Sequence, residues 1–282
     1  IKSERSREDA EAPMGVGASN VMDRMAASVG DLVAVEPVFQ GVADVPNGGV
    51  LLALPALLAV GLLHQAEKYF QLPKGYYGLQ NLFVMLAFLA LARLPSLEKL
   101  RYWAPGEWGK LLGLDRMPEV RTVRQKLAVL SEQQQVNGWS AELCAQWMGE
   151  DPDKAAVLYV DGHVRVYHGQ QTQLPRHYVA RQKLCLRATT DYWINAMDGQ
   201  PFFLLNQAVD PGLLQVLEHQ IVPRLEQEVP NQPSAEQLAN DPNLHRFALI
   251  FDREGYSPAL LRRMKDKRIA CLTYHDYPGE DW

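Results

Sequence analysis

Cysteine is scarce in this chain, cations are outnumbered by acids, and no apolar run is long enough to cross a bilayer unbroken. The three cysteines, Cys144, Cys185 and Cys271, are widely spaced in 282 residues. That spacing excludes a disulfide framework and a clustered zinc site, and fits reduced thiols in a cytosol. The net charge of −5 argues, for the chain as a whole, against a nucleic-acid partner. The charge is unevenly placed, however. Between Asp161 and Thr190 the sole acid is Asp161, against Arg165, Arg176, Arg181, Lys183 and Arg187. A local basic face can bind phosphates on an acidic protein; a solvated surface is the alternative. Two strongly apolar stretches, VLLALPALLAVGLLHQAEKYF and LQNLFVMLAFLALARL, could form a membrane hairpin. Each runs only about 14–16 residues before a polar interruption, short of the roughly 18–20 needed to span. Pro55 breaks the first, and Gln80 and Asn81 open the second. The pattern therefore favours two core helices and no membrane partner. The chain begins at Ile1 without a leader sequence, so a cytoplasmic fragment is expected.

Three regions follow from the order of signals. Residues 1–44 are charged, then weakly helical over 19–36, and read as a flexible N-terminal segment. DVPNGG, residues 44–49, is a turn cluster. Residues 45–150 read as an all-α domain. Ser96 caps a short helix, SLEKLRYW, and Pro105 opens PGEWGKLL, which Gly113 stops. Pro118 sits in the first turn of the next helix, whose Val120, Val123, Leu127 and Leu130 step by three and four along one buried stripe. Arg121 and Arg124 fall off that stripe near the helix start. Helix, glycine turn, helix with early cations suits a DNA-binding helix-turn-helix; a structural connector fits the same pattern. NGWSAELCAQWMGE reads as a helix capped by Ser140 and closed by Gly149. Asp151-Pro152 marks the boundary to a third region, 151–282.

There the pattern changes to strands. VLYVDGHVRVYHG is one long strand, QQTQLPRHY a loop, and KLCLRATTDYWINA a second strand. Asp198-Gly199 is a hairpin turn returning into PFFLLNQAV. Asp210 caps a helix with Pro211 in its first turn, and Pro223 should kink that helix. RFALIFD is a fourth strand, Ser257 and Pro258 start a further helix, and RIACLTYH is the last strand. Three antiparallel strands followed by helix, strand, helix, strand is a ribonuclease-H-like mixed sheet. In that α/β arrangement the first and fourth strands are neighbours, about 4.8 Å apart.

The apolar runs AAVLYV and FALIF each deliver one aspartate, Asp161 and Asp252. Singly, each is an ordinary turn or cap residue. Together, at the ends of neighbouring strands, they suit divalent metal ions about 3.5–4 Å apart. Carboxylate oxygens are the hard ligands Mg²⁺ prefers. The reaction class is then in-line phosphoryl transfer on DNA, with Arg176, Arg181, Lys183 and Arg187 against the DNA backbone. Glu254 is a nearby acid, His163 and His168 read as strand surface, and Trp139, Trp147 and Trp193 read as core.

The segments GGVLLALPALLAVGLL, LGLDRMPEVRTVRQKL, VLYVDGHVRVYHG, RHYVARQKLCLRATTDYWINA and ALIFDREGYSPALL together resemble DDE-type transposases of bacterial insertion sequences, from about residue 45 onward. The resemblance implies a Mg²⁺-dependent (or Mn²⁺-dependent) enzyme that cleaves transposon ends and joins them to target DNA. Asp161 would be its first acid and Asp252 its second. It also implies double-stranded DNA as partner, a homo-oligomeric synaptic complex, and a place beside the bacterial nucleoid. The family's third acid is a glutamate on a helix after the fifth strand. Here Asp276, Glu280 and Asp281 are the only acids past the last strand, in a PGEDW tail, so the third acid is expected to be missing and the chain truncated. A DNA-binding remnant without chemistry is the alternative that expectation leaves open.

Overall fold

The computed structural model describes residues 21–39, 41–43, 45–169, 172–179 and 182–275. The chain divides into two compact units, residues 1–139 and 140–282.

The first unit contains, among its described residues, helices α1 (Val21–Ser28), α2 (Leu54–Ala59), α3 (Ala66–Tyr69), α4 (Leu79–Leu91), α5 (Pro105–Leu112) and α6 (Val120–Glu132). Its core is built from Leu82, Met85 and Phe88 of α4, Trp108 and Leu111 of α5, and Val120, Val123 and Leu130 of α6. Leu127 completes the α6 stripe but is only partly buried. The first apolar stretch is not the single helix its composition suggests. It is a 3₁₀ turn over Gly48–Ala53, then α2, then α3. Pro55 starts α2 because it lacks the N–H an ongoing helix would use. Gly61 and Gln65 then turn the chain at positive φ. No helix of the described residues is long and apolar enough to cross a membrane. Ser96 precedes a 3₁₀ helix, Leu97–Tyr102, without a side-chain cap bond.

Helix α5 ends as its sequence demands. Gly113 takes φ 66°, and its N–H reaches the carbonyls of Gly109 and Lys110, closing the helix in the left-handed conformation that glycine adopts without strain. The loop to α6 is held by Asp115. Its carboxylate accepts from Arg24 Nε (2.6 Å), from the Tyr76 hydroxyl (2.9 Å) and from the Arg116 N–H (2.7 Å). The Arg24 guanidinium also lies 3.9 Å from the Tyr76 ring centroid, so α1 is fastened to this loop by charge and by a cation–π contact. Pro118 lies outside α6, two residues before its start.

Helix α7 (Val136–Glu150) runs across the division between the units. Ser140 and Gly149 lie inside it and neither caps nor ends it. The second unit then carries strands β1 (Val157–Val166), β2 (Arg176–Val179), β3 (Leu184–Ala196), β4 (Pro201–Gln207), β5 (Ala248–Phe251) and β6 (Ala270–Leu272) in one six-stranded sheet. β1 pairs antiparallel with β3 and parallel with β5, and β5 pairs parallel with β6. β2 and β4 bond different stretches of β3, both antiparallel. The sheet is mixed, with helices α8 (Leu213–Val216), α9 (Val222–Glu228), α10 (Ala235–Asn240) and α11 (Pro258–Asp266) in its connections.

Alternation sorts the two faces of the sheet. Leu158 and Val160 of β1 share one face with Ile194 and Ala196 of β3 and with Leu249 and Phe251 of β5. All six are buried, and they form one core with Val216, Ile221, Val222, Leu225, Leu260 and Met264. Burying an aliphatic or aromatic side chain of this kind contributes about 1.5–3 kcal/mol. The opposite face carries Tyr159, Asp161, His163 and Arg165, in register with Asn195, Trp193, Asp191 and Thr189.

Three further expectations differ from the structure. The QQTQLPRHY loop contains β2, because Arg176–Val179 completes bonds to Leu184–Arg187. Asp210 does not cap the following helix: α8 begins at Leu213, with Gly212 in the N-cap position. Pro223 does not act alone as a kink. A π turn, Leu217–Ile221, precedes it and Pro223 opens α9. The wider turn relieves the clash between the proline ring and the carbonyl four residues earlier.

Glycine at position 109 is set by packing. A Cβ there would lie 2.7 Å from the Arg116 N and Cα and from the Leu114 carbonyl oxygen, all backbone atoms. Alanine normally gains about 1 kcal/mol over glycine inside a helix. Here Gly109→Ala is expected to lower stability by about 1–3 kcal/mol, measured as a drop in the denaturant midpoint.

Candidate active site

The parallel ladder between β1 and β5 ends at the pair Val160 and Phe251. The next residues are Asp161 and Asp252, so the ladder delivers the two aspartates side by side at one level of the sheet. Both are exposed. Asp252 stops β5 and caps the 3₁₀ turn Arg253–Gly255, its Oδ1 accepting from the Glu254 N–H at 3.0 Å. Its carbonyl oxygen accepts from the Thr273 hydroxyl at 2.8 Å. Gly255 permits this tight turn: a Cβ there would fall 2.4 Å from the Phe251 ring. Gly162, beside Asp161, lies under the Tyr192 ring, which a Cβ would meet at 3.1 Å.

Two further acids belong to this end of the sheet. Asp210 follows β4 and accepts from the Thr190 hydroxyl (2.7 Å), the Tyr192 hydroxyl (2.7 Å) and the Gly212 N–H (2.8 Å). Burial would raise its pKa, but these hydrogen bonds win and hold it below the ordinary aspartate value. Glu254 is pushed the other way, first by burial and then by the negative charges of Asp252, Asp210 and Asp161. The Tyr192 phenol is held protonated by burial, by its bond to Asp210 and by the charges of Glu254 and Asp252. Asp161, Asp210, Asp252 and Glu254 thus form one negative field. Asp210 and Tyr192 were not identifiable as site residues from sequence. The one available signal was the Thr-x-Tyr alternation of residues 190–192, which puts two hydroxyls on one strand face.

The expected basic residues separate. Arg176 and Arg187 are register partners on β2 and β3, both exposed. Lys183 sits at positive φ, 53°, in the turn between those strands, also exposed. Arg181 lies outside the described residues, as do Asp44, Asp276, Glu280 and Asp281. Arg121 is exposed in the first turn of α6, whereas Arg124 is engaged within the protein by Glu98 at 2.6 Å. His163 and His168 are exposed. Trp139 packs against Phe70 and Phe83 and its indole N–H donates to the His64 carbonyl at 2.9 Å.

A family model described as a transposase protein matches residues 15–282. The chain belongs to this transposase family. No curated protein matches. Among solved structures, the chain is similar to a Mos1 transposase paired-end complex with the left transposon end, at 10% identity and a TM-score of 0.26. It is also similar to a pre-cleavage Mos1 transpososome, at 10% identity and a TM-score of 0.27. Each match covers 69% of this chain, which spans 58% and 59% of those two chains.

For a transposase the question is whether the acids fit a divalent ion. Among the described residues, no group of three His, Cys, Asp or Glu side chains is arranged to hold a metal. The pair Asp161 and Asp252 offers exposed, hard oxygen donors beside the further acids Glu254 and Asp210. That donor set fits an ion that keeps most of its water, as Mg²⁺ does.

The opposite shifts of Glu254 and Asp210 give opposite pH signatures. A carboxyl raised on folding destabilises once it ionises, so Glu254→Gln is expected to raise the melting temperature at pH 7 in chelator. The gain should vanish as the pH falls toward the unfolded glutamate pKa of about 4.3. Asp210 is lowered on folding, so its stabilisation is complete above the unfolded aspartate pKa of about 3.9 and is lost below it. Asp210→Asn should therefore cost stability at pH 7 and progressively less under acid. Melting curves of both variants against pH check the two signs.

Proposed function

We propose that this chain is a DDE-type DNA transposase. On this reading residues 151–282 are a ribonuclease-H-like catalytic domain and residues 45–150 supply an all-α region with a DNA-contacting helix-turn-helix. The carrying observation is the parallel β1–β5 ladder, which brings Asp161 and Asp252 to one level from distant parts of the chain. The sheet supports the same reading: β1 lies between an antiparallel neighbour, β3, and a parallel one, β5, and crossover helices pack on one face.

Asp161 and Asp252 would hold Mg²⁺ or Mn²⁺. Such an ion supplies activation of a water or 3′-hydroxyl and stabilisation of the leaving oxygen of a phosphodiester. The protein's own residues do the positioning. Asp161 is fixed on a strand bonded on both edges, and Asp252 is fixed by its turn and by Thr273. Asp210 keeps Tyr192 over Gly162, so the strand carrying Asp161 is braced from the core side. Arg176, Lys183 and Arg187 would lie against DNA phosphates, contacts that orient a duplex without reading its sequence. Arg121 would meet DNA from α6, and Arg181 is assigned to DNA by its place in the sequence alone. Strand cleavage and transfer at the ends of an insertion sequence, by a homo-oligomer on double-stranded DNA at the bacterial nucleoid, is the activity this implies.

The deciding experiment compares the protein with Asp161→Asn and Asp252→Asn on duplex DNA in Mg²⁺, Mn²⁺ and chelator. Metal-dependent nicking by the parent, lost at least a hundredfold (about 10² or more) in either variant, with DNA binding kept, is the expected result. Nicking that survives both substitutions excludes these residues. Binding that weakens steeply with salt but comes without nicking supports DNA binding without strand chemistry.

A further inference from the structure

The open face of the sheet carries one buried charge that the proposed chemistry does not use. Asp191 is only 1% exposed, on β3, and is register partner to His163 of β1 and Asn206 of β4. Asn206 Nδ2 donates to its Oδ1 at 2.5 Å, and the same amide reaches the Thr189 hydroxyl at 3.3 Å. Oδ2 lies 2.5 Å from Arg165 Nη2, in an ion pair that is not aligned as a hydrogen bond. A buried carboxylate is tolerated when it is paired, and removing its partner leaves an uncompensated charge. Asp191 therefore holds Arg165 in place, although the Arg165 side chain is itself 62% exposed.

What is held is a half-used guanidinium. Arginine has five N–H donors in a fixed planar fork. Asp191 pairs with its Nη2, and the side chain is otherwise largely exposed. Arg165 stands on the same strand and the same face as Asp161, four residues on. At about 3.3 Å per residue the two backbone positions are about 13 Å apart, the axial rise of about four nucleotides of one DNA strand. Beyond Arg165 the same face continues into Arg187 and its partner Arg176. The face thus runs from negative at Asp161 to positive at its far end.

We propose that Arg165, clamped by Asp191, grips a DNA phosphate about four nucleotides from the one presented to Asp161 and Asp252. Asp191 acts as a positioning residue through Arg165, and Arg187 and Arg176 extend the track. This rests on the DNA-transposase reading and adds a fixed anchor to it. A clamped fork loses less freedom on binding than a loose side chain, so the anchor sets where along the strand the reacting phosphate lies.

The test measures duplex DNA affinity against salt for the parent, Arg165→Gln, Arg165→Lys and Asp191→Asn, with melting temperatures alongside. Each neutralised phosphate contributes about 0.9 to the slope of log affinity on log salt. Arg165→Gln is expected to flatten that slope by about 1. Arg165→Lys and Asp191→Asn should keep the slope but lose affinity severalfold, because the charge remains and the clamped fork does not. An unchanged slope in Arg165→Gln, with only a lower melting temperature, overturns the proposal and makes the pair a structural brace. Should Arg165→Gln not fold, unchanged affinity in Arg165→Lys overturns it equally. A parent protein without salt-dependent DNA binding removes the transposase reading itself, and this proposal with it.

Discussion

The parallel pairing of β1 with β5 is the constraint on which the rest of the second unit depends. Side chains alternate along a strand, so a slip of one residue would turn Leu158 and Val160 away from the core and onto the open face. Their partners Leu249 and Phe251 are buried in the same layer, which makes that slip costly. The same register then carries the chain one residue further on each strand, to Asp161 and Asp252. Apolar burial, not any attraction between two like charges, sets the two aspartate positions at one level of the sheet.

Two like charges at one level repel, and the surroundings respond to that repulsion. Asp252 is tied to its own turn by the Glu254 N–H, and Asp210 is satisfied by two hydroxyls and an amide. Glu254 is pushed upward first by burial and then by the neighbouring charges of Asp252, Asp210 and Asp161. The excess of negative potential at this end of the sheet is what a cation would relieve. At the other end Arg165, Arg176 and Arg187 reverse the sign. A polyanion laid along the open face would meet attraction at the Arg165, Arg176 and Arg187 end and repulsion where the acids stand.

The first unit shows a different kind of fastening. Its helices are short, and α1 is attached chiefly through Arg24 to the Asp115 loop and the Tyr76 ring. That loop joins α5 to α6, the pair whose spacing suggested a helix-turn-helix. Arg124, one of the two cations assigned to DNA there, is paired with Glu98, whereas Arg121 remains open to solvent. Residue spacing along a helix identifies its exposed side, but not which exposed charges already have intramolecular partners.

Local chemistry was enough for much of this. Apolar runs ending in aspartate marked β1 and β5, Gly113 marked the end of α5, and Ser257 with Pro258 marked the start of α11. Family membership was also carried by the residues themselves, since the match extends over 15–282. Tertiary contacts decided the rest. β2 exists because β3 offers it an edge, and the π turn before Pro223 exists because the helix must still bury Leu217, Ile221 and Val222. Asp210 left its expected cap for Thr190 and Tyr192, and Asp191 found Arg165 across a strand. Sequence determines where a strand or helix can begin and which side is apolar, because those depend on neighbours in the chain. Which charges meet depends on register and crossover, and these are fixed only when distant segments share one core.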